Sequence, residues 1–230
     1  MIISVHQPQY LPWLGFFDKI AKSDCFVFLD EVQYKSREFQ NRNKIRTKDG
    51  WIWLSVPVIT KGKGRQRISQ VLIDNEFPWA RQHLASLKTW YAKAKFFKGY
   101  LPFFEETYAR KWEKLIDLNI HIINFLLKQL SITTPIYFES KLRISSIKTE
   151  RIIEICKKIE ADTYLSGIGG KEYLEEDKFS LANIKLVYQD FSHPEYGQLF
   201  KPFIPFMSVV DLLFNHGEDS LKILQWNNFL

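Results

Sequence analysis

Met1-Ile2-Ile3-Ser4-Val5-His6-Gln7-Pro8-Gln9-Tyr10-Leu11-Pro12-Trp13-Leu14-Gly15-Phe16-Phe17-Asp18-Lys19-Ile20 opens as a strand, breaks into a turn and resumes as a helix. Ile2 to Val5 is a nearly continuous apolar run, the pattern of a strand buried on both faces. Pro8 and Pro12 fix the backbone of the turn and delay the helix. From about Trp13 to Lys22, Leu14, Phe17, Ile20 and Ala21 form one apolar face, and Ser23-Asp24 ends the helix. Cys25 to Leu29 is a second buried strand. Two apolar strands joined by one helix predict a parallel crossover, and ligands of open parallel sheets bind beyond the strands' carboxyl ends. His6, Gln7 and Tyr10 stand at such an end, and Asp30-Glu31 stands at the next.

Strand and helix alternate along the rest of the chain. Trp51 to Val58 reads as a third strand, and Ile68 to Ile73 as a further one. From Pro78 to Leu130 the pattern is helical, with breaks expected at Lys98-Gly99 and near Arg110. Ile136 to Phe138 reads as a short strand. A helix capped by Ser146 or Thr149 carries Ile152, Ile153, Ile155, Cys156 and Ile159 on its apolar face. Asp162 to Ser166 and Ile184 to Tyr188 read as strands. The expectation is one α/β domain over residues 1–230, a mainly parallel Rossmann-like sheet with residues 78–130 a helical insertion or cap.

The 230 residues suffice for one sizeable core. A net charge of +6 favours an anionic partner. The basic residues are dispersed among acidic ones and match no nucleic-acid-binding signature, so a nucleotide or nucleotide sugar is expected rather than a nucleic acid. Both cysteines, Cys25 and Cys156, fall in apolar surroundings and read as buried thiols of a reducing compartment. With no signal segment and no apolar run of membrane-spanning length, a cytoplasmic location is expected.

Several segments carry a resemblance. His6-Gln-Pro-x-Tyr-Leu-Pro-Trp-x-Gly-x-Phe-x-Lys-Ile is followed by Gln40-Asn41-Arg42-Asn43-Lys44-Ile45 and Tyr164-Leu165-Ser166-Gly167-Ile168-Gly169-Gly170. Tyr188-Gln189-Asp190-Phe191-Ser192-His193-Pro194-Glu195-Tyr196 and Met207 to Asn215 complete the set. Together they resemble the WbqC-like family, whose genes sit in O-antigen and other surface-polysaccharide clusters. The resemblance implies a role in making such polysaccharides, with an amino sugar among the substrates.

The His6 turn also resembles the HxGH-type turn of adenylyl-transferring α/β enzymes, in which imidazoles contact nucleotide phosphates. Here the second histidine is absent, its neighbourhood taken by Gln9 to Pro12. The residues name no cofactor, and a nucleotide such as ATP with magnesium is the candidate this resemblance suggests. His6, His193 and Asp30 are the catalytic candidates. A histidine that merely pins its turn would look the same in sequence.

Glu31 to Lys48 is polar and reads as a long functional loop. In it Gln33, Lys35, Asn41, Arg42, Asn43 and Lys44 are substrate-binding candidates, together with Gln7, Tyr10, Gln189 and Tyr196. Arg42 is suited to a bidentate grip on phosphate, and the lysines to point-charge contacts. Ser166, Gly167, Gly169 and Gly170 follow a strand and form either a phosphate-binding nest or a plain tight turn. No metal set with familiar ligand spacing occurs. Asp211, alone on an apolar helix, reads as a structural anchor.

Three functions fit this pattern. One is acyl or aminoacyl transfer to an amino sugar through an adenylate. The others are nucleotidyl transfer to a sugar phosphate and non-catalytic carbohydrate binding or assembly.

Overall fold

A computed structural model describes residues 1–225. Five strands form one parallel sheet: β1 (Ile2–His6), β2 (Cys25–Phe28), β5 (Ile136–Phe138), β6 (Thr163–Ser166) and β7 (Lys185–Tyr188), in the order β5-β2-β1-β6-β7. Between β1 and β2 lies α1 (Leu14–Ala21), so the opening stretch forms the expected strand-helix-strand unit. β3 (Arg42–Thr47) and β4 (Gly50–Ser55) form a separate antiparallel ribbon.

Alternation along the central strands sends side chains into two cores. Ile3, Val5, Cys25, Val27 and Tyr164 pack on α6 (Lys148–Lys158) and α7 (Glu176–Leu181). Phe26 and Phe28 face the other way, onto Phe16 and Phe17 of α1. This second core also holds α2 (Trp79–Tyr91), α3 (Phe97–Ala109), α4 (Leu115–Gln129) and α8 (Val209–His216). The 78–130 helices therefore share the apolar layer that covers one face of the sheet. Each fully buried phenylalanine contributes about 1.5–3 kcal/mol. Short helices α5 (Glu139–Leu142) and α9 (Ser220–Gln225) complete the described chain. Cys25 and Cys156 are buried free thiols. No helix among the described residues is long and apolar enough to cross a membrane.

Several local expectations are corrected. Residues 31–48 are not loop throughout, because Arg42–Thr47 pairs with β4 across a two-residue turn. Ile68–Gln70 is a single 3-10 turn instead of a strand. The first helical break falls between Tyr91 and Phe97, ahead of Lys98-Gly99. Neither Ser146 nor Thr149 caps α6: the Ser146 hydroxyl donates to the Glu154 carboxylate, and Thr149 Oγ1 accepts from the Glu175 amide. Local polarity foretold that these residues bond, but not with which partners.

The strand order decides where a ligand can sit. From β1 the chain builds outward through β2 to β5 on one side and through β6 to β7 on the other. The order thus reverses at β1 and β6, which pair only through Ile2–Thr163 and Ile3–Tyr164. Beyond Ile3 the two strands part, and a crevice opens between His6 and Ser166 at their carboxyl ends.

Candidate functional site at the strand switch

The crevice is a cleft of two lobes. One lobe, of about 260 Å³, is lined by Val5, His6, Gln7, Lys19, Ser166 and Tyr173, among others. The second, of about 400 Å³, runs along the start of α1 past Trp13, Gly15 and Phe16 to Asp190, Phe191 and Phe206. His6, Lys19, Gly167 and Gly169 line both.

Helical spacing puts Lys19 there. Gly15, Phe16 and Lys19 lie four and three residues apart, on one face of α1, while Phe17 and Ile20 face the core. Gly15 is required because a Cβ would stand 2.2 Å from the Trp13 ring. The Lys19 side chain is only 3% exposed, and its Nζ donates to the Val5 carbonyl at 3.0 Å. Burial alone lowers its pKa to about 7, with no carboxylate acting to raise it. Among the described residues no counter-ion meets this ammonium, so its charged form is left without a partner in the cleft.

His6 is the neutral partner. Burial, then the Lys19 charge, lower its pKa to about 3, against the raising effect of the Gln7 carbonyl. Nδ1 lies 3.0 Å from that carbonyl and therefore carries the proton, which leaves the lone pair on Nε2. In the empty cleft His6 is thus neutral, with its Nε2 lone pair unprotonated beside Lys19.

The glycine turn closes the cleft opposite. Ser166 Oγ donates to the Gly167 carbonyl at 3.0 Å, and residues Ile168–Glu172 form a 3-10 turn. Gly167, Gly169 and Gly170 do not take positive φ, so the turn is not a nest of alternating handedness. Glycine is needed at 170 for a steric reason: a Cβ would lie 2.1 Å from Ser166 Oγ and 2.9 Å from Leu174 Cδ1.

With the geometry in place, comparison with known proteins fixes the family. The model of the WbqC-like protein family matches residues 7–223. The chain belongs to the WbqC-like family. It is also similar to the uncharacterized protein Rv1507c of Mycobacterium tuberculosis, 32% identical over 226 residues that cover 97% of each chain. No solved structure matches significantly. The family match begins just past His6 and takes in Lys19, the glycine turn and Phe206.

In this WbqC-like chain the cleft brings together His6, Gln7, Ser166, Gly167, Gly169, Gly170 and Gln189. Gln189 Nε2 is already committed, to Asp18 Oδ2 at 2.6 Å and the Gly15 carbonyl at 2.9 Å. Asp30 lines neither lobe: its Oδ1 accepts from the Ser140 amide at 3.0 Å. Tyr10 is buried under the helices, bonded to His83 Nδ1 at 2.8 Å and Tyr108 at 2.5 Å. Tyr196 donates to Asp211 Oδ2 at 2.8 Å. Asp211 also accepts from Tyr91 and Gln198, the structural anchor its sequence position suggested.

His193 has both ring nitrogens occupied. Nδ1 donates to the Pro194 carbonyl at 2.8 Å, and Nε2 accepts from the Phe206 amide at 3.1 Å. It fixes the neighbouring strap instead of presenting a free nitrogen.

The polar segment after β2 splints the His6 turn. Gln40 donates to Gln7 Oε1 at 2.7 Å, and Asn43 donates to the Leu11 carbonyl at 2.8 Å, where Leu11 has φ +44°. Asn41 donates to the Val56 carbonyl. Arg42 stacks on Trp53 at 4.2 Å, and Lys44 Nζ lies 5.1 Å from the Trp51 ring centre. Gln33 and Lys35 are exposed outside the cleft.

Lys19, Trp13, Tyr173 and Phe206 were absent from the sequence-based site. The signal was available for Lys19: a lone cation at i+3 and i+4 from Phe16 and Gly15. On an amphipathic helix, however, a lysine normally marks the solvent face.

Proposed function

We propose that the cleft binds a nucleotide or nucleotide-linked sugar, and that the protein is a transferase of surface-polysaccharide synthesis. The reaction proposed is transfer of an acyl or aminoacyl group to an amino sugar. The observation that carries this reading is Lys19, a buried lysine with no counter-ion among the described residues, lining a cleft at the switch point of a parallel sheet. A phosphate there neutralises the ammonium and restores basicity to His6.

In the proposed sequence an acyl carboxylate attacks the α-phosphorus of ATP and expels pyrophosphate. The sugar amine then attacks the acyl carbon and expels AMP, and its proton passes to His6 Nε2. ATP would be held with magnesium; the protein's own part is to place the phosphate at Lys19 and the amine at His6.

A thermal-shift panel with ATP and magnesium, nucleotides and nucleotide-linked amino sugars tests the reading. Ligand at about 100 times its Kd adds about 2.7 kcal/mol, a rise of about 5–10 °C at this size. The rise is expected in the wild type and lost in Lys19→Met. No response to any of these ligands, or an unchanged response in the variant, overturns it.

A further inference from the structure

The second lobe differs from the first in the kind of surface it offers. Trp13, Phe191 and Phe206 form one continuous aromatic wall, with Trp13 5.4 Å from Phe191 and 5.9 Å from Phe206, ring centre to ring centre. Phe206 is 50% exposed although it lines a cleft and touches other rings. An apolar ring left half in water at a cleft mouth has surface to bury against a ligand.

The backbone holds that ring on purpose. Phe206 sits at φ +61°, a left-handed conformation costly for a bulky residue. Its amide is held by His193 Nε2 at 3.1 Å, and the two rings meet edge to face at 5.1 Å. The wall therefore has a second layer behind it, which gives the two-point fixation of His193 a purpose.

We infer that the Trp13–Phe206 wall is the stacking site for the base of a nucleotide whose phosphates lie at Lys19. This rests on the proposed function and adds to it which part of the ligand each lobe receives. Sugar rings also stack on aromatic side chains, but their hydroxyls need many hydrogen-bonding partners. Here Gln189 Nε2 is committed to the Gly15 carbonyl and Asp18. The wall offers aromatic faces with the Trp13 indole N–H as its polar group, and the lobe's remaining polar side chains are His6, Lys19 and Asp190. A flat base asks mainly for a π-face. The lobe is contiguous with the anion site through Lys19 and His6, so one molecule can occupy both.

Calorimetric titration of ATP and of inorganic tripolyphosphate into wild type, Phe206→Ala and Phe206→Tyr tests this. Phe206→Ala should weaken ATP by about 5- to 150-fold, the contribution of one stacked base, and leave tripolyphosphate within about twofold. Phe206→Tyr should keep the wild-type preference. His193→Ala should repeat the Phe206→Ala pattern, which a residue of merely general structural importance would not do. Tripolyphosphate binding as tightly as ATP, or both weakening equally in Phe206→Ala, overturns the base site and leaves the anion site standing. Binding of neither ligand removes both. Loss of N-acetylglucosamine binding in Phe206→Ala, with ATP unaffected, overturns the inference by assigning the wall to a sugar.

Discussion

The imidazole of His6 and the ammonium of Lys19 open onto the same two lobes of one cleft, and the lysine's charge adds to burial in keeping the imidazole neutral. The Lys19 ammonium is unfavourable for folding, because burial penalises its charged form. Among the described residues it lies buried without a counter-ion, and its Nζ donates to the Val5 carbonyl. Groups held against their own solvation are common at binding sites, where a ligand completes what the fold leaves unpaired.

Replacing Lys19 by methionine should therefore stabilise the empty protein. The folded pKa of about 7 lies below the ordinary 10.5, so the unfolded chain holds more protons between these values. Stability of the wild type then rises with pH through that window, and below pH 7 the full penalty is present. The gap corresponds to on the order of 4–5 kcal/mol, offset by about 1 kcal/mol for the lost bond to Val5. Lys19→Met should raise Tm at pH 6, and the gain should shrink toward pH 10. A variant less stable than wild type at pH 6 would make Lys19 a structural residue.

Anion binding should draw a proton onto Lys19. At pH 8 the empty-site ammonium, with a pKa of about 7, is largely neutral, and a bound phosphate restores its charge. Titration of ATP at pH 8 in Tris and in HEPES should show enthalpies that differ with buffer ionisation. Their slope should approach about one proton taken up per ligand. His6 starts from about 3 and Tyr173 from above its ordinary value, so neither is the expected source of uptake at this pH. A slope of zero, or the same slope in Lys19→Met, would falsify the assignment.

The frame was legible in sequence where a pattern had one physical solution. Ile2–Val5 and Cys25–Leu29 are apolar on both faces, which only an interior parallel strand accommodates, and a helix between them fixes the crossover. The site was legible only in outline. His6 stood out because it ends an apolar strand just before Pro8 and Pro12, and the structure places it in the cleft. Lys19 did not, because the sequence cannot say which polar side of a helix is walled in by another strand's loop. Arg42 and Lys44 lie outside the cleft: in β3 their side chains are placed beside Trp53 and Trp51, a cross-strand relationship invisible without the ribbon's register. Tyr10 has the polarity of a ligand contact, but the helices 79–129 bury it against His83 and Tyr108.

The glycine turn makes a steric prediction. Gly170→Ala puts a methyl 2.1 Å from Ser166 Oγ and 2.9 Å from Leu174 Cδ1, so the Ser166 and Leu174 side chains must move. Overpacking of this kind costs about 1–3 kcal/mol and should weaken ATP binding, since Ser166 and Gly170 both line the lobe proposed to hold its phosphates. In a Ser166→Ala background the nearest clash is gone, and the same substitution should cost at least 0.5 kcal/mol less, a coupling measurable in a double-mutant cycle by urea unfolding. Additive costs would show that the two residues do not meet.

Stability and binding should separate at two buried polar groups away from the cleft. Asp211, fully buried, accepts from Tyr91, Tyr196 and Gln198, and burial raises its pKa against those bonds. Asp211→Ala strands three donors near Arg46, itself bonded to the Gly50 and Pro202 carbonyls, and should cost about 3–5 kcal/mol. Tyr10→Phe removes only the hydroxyl shared with His83 and Tyr108, at about 1–2 kcal/mol. Neither residue lines the cleft, so once folded both variants should bind ATP as the wild type does. Urea unfolding and calorimetry on the same samples check this. A loss of ATP affinity in stable Tyr10→Phe would return Tyr10 to the binding site and move the ligand beneath the helices, away from Lys19.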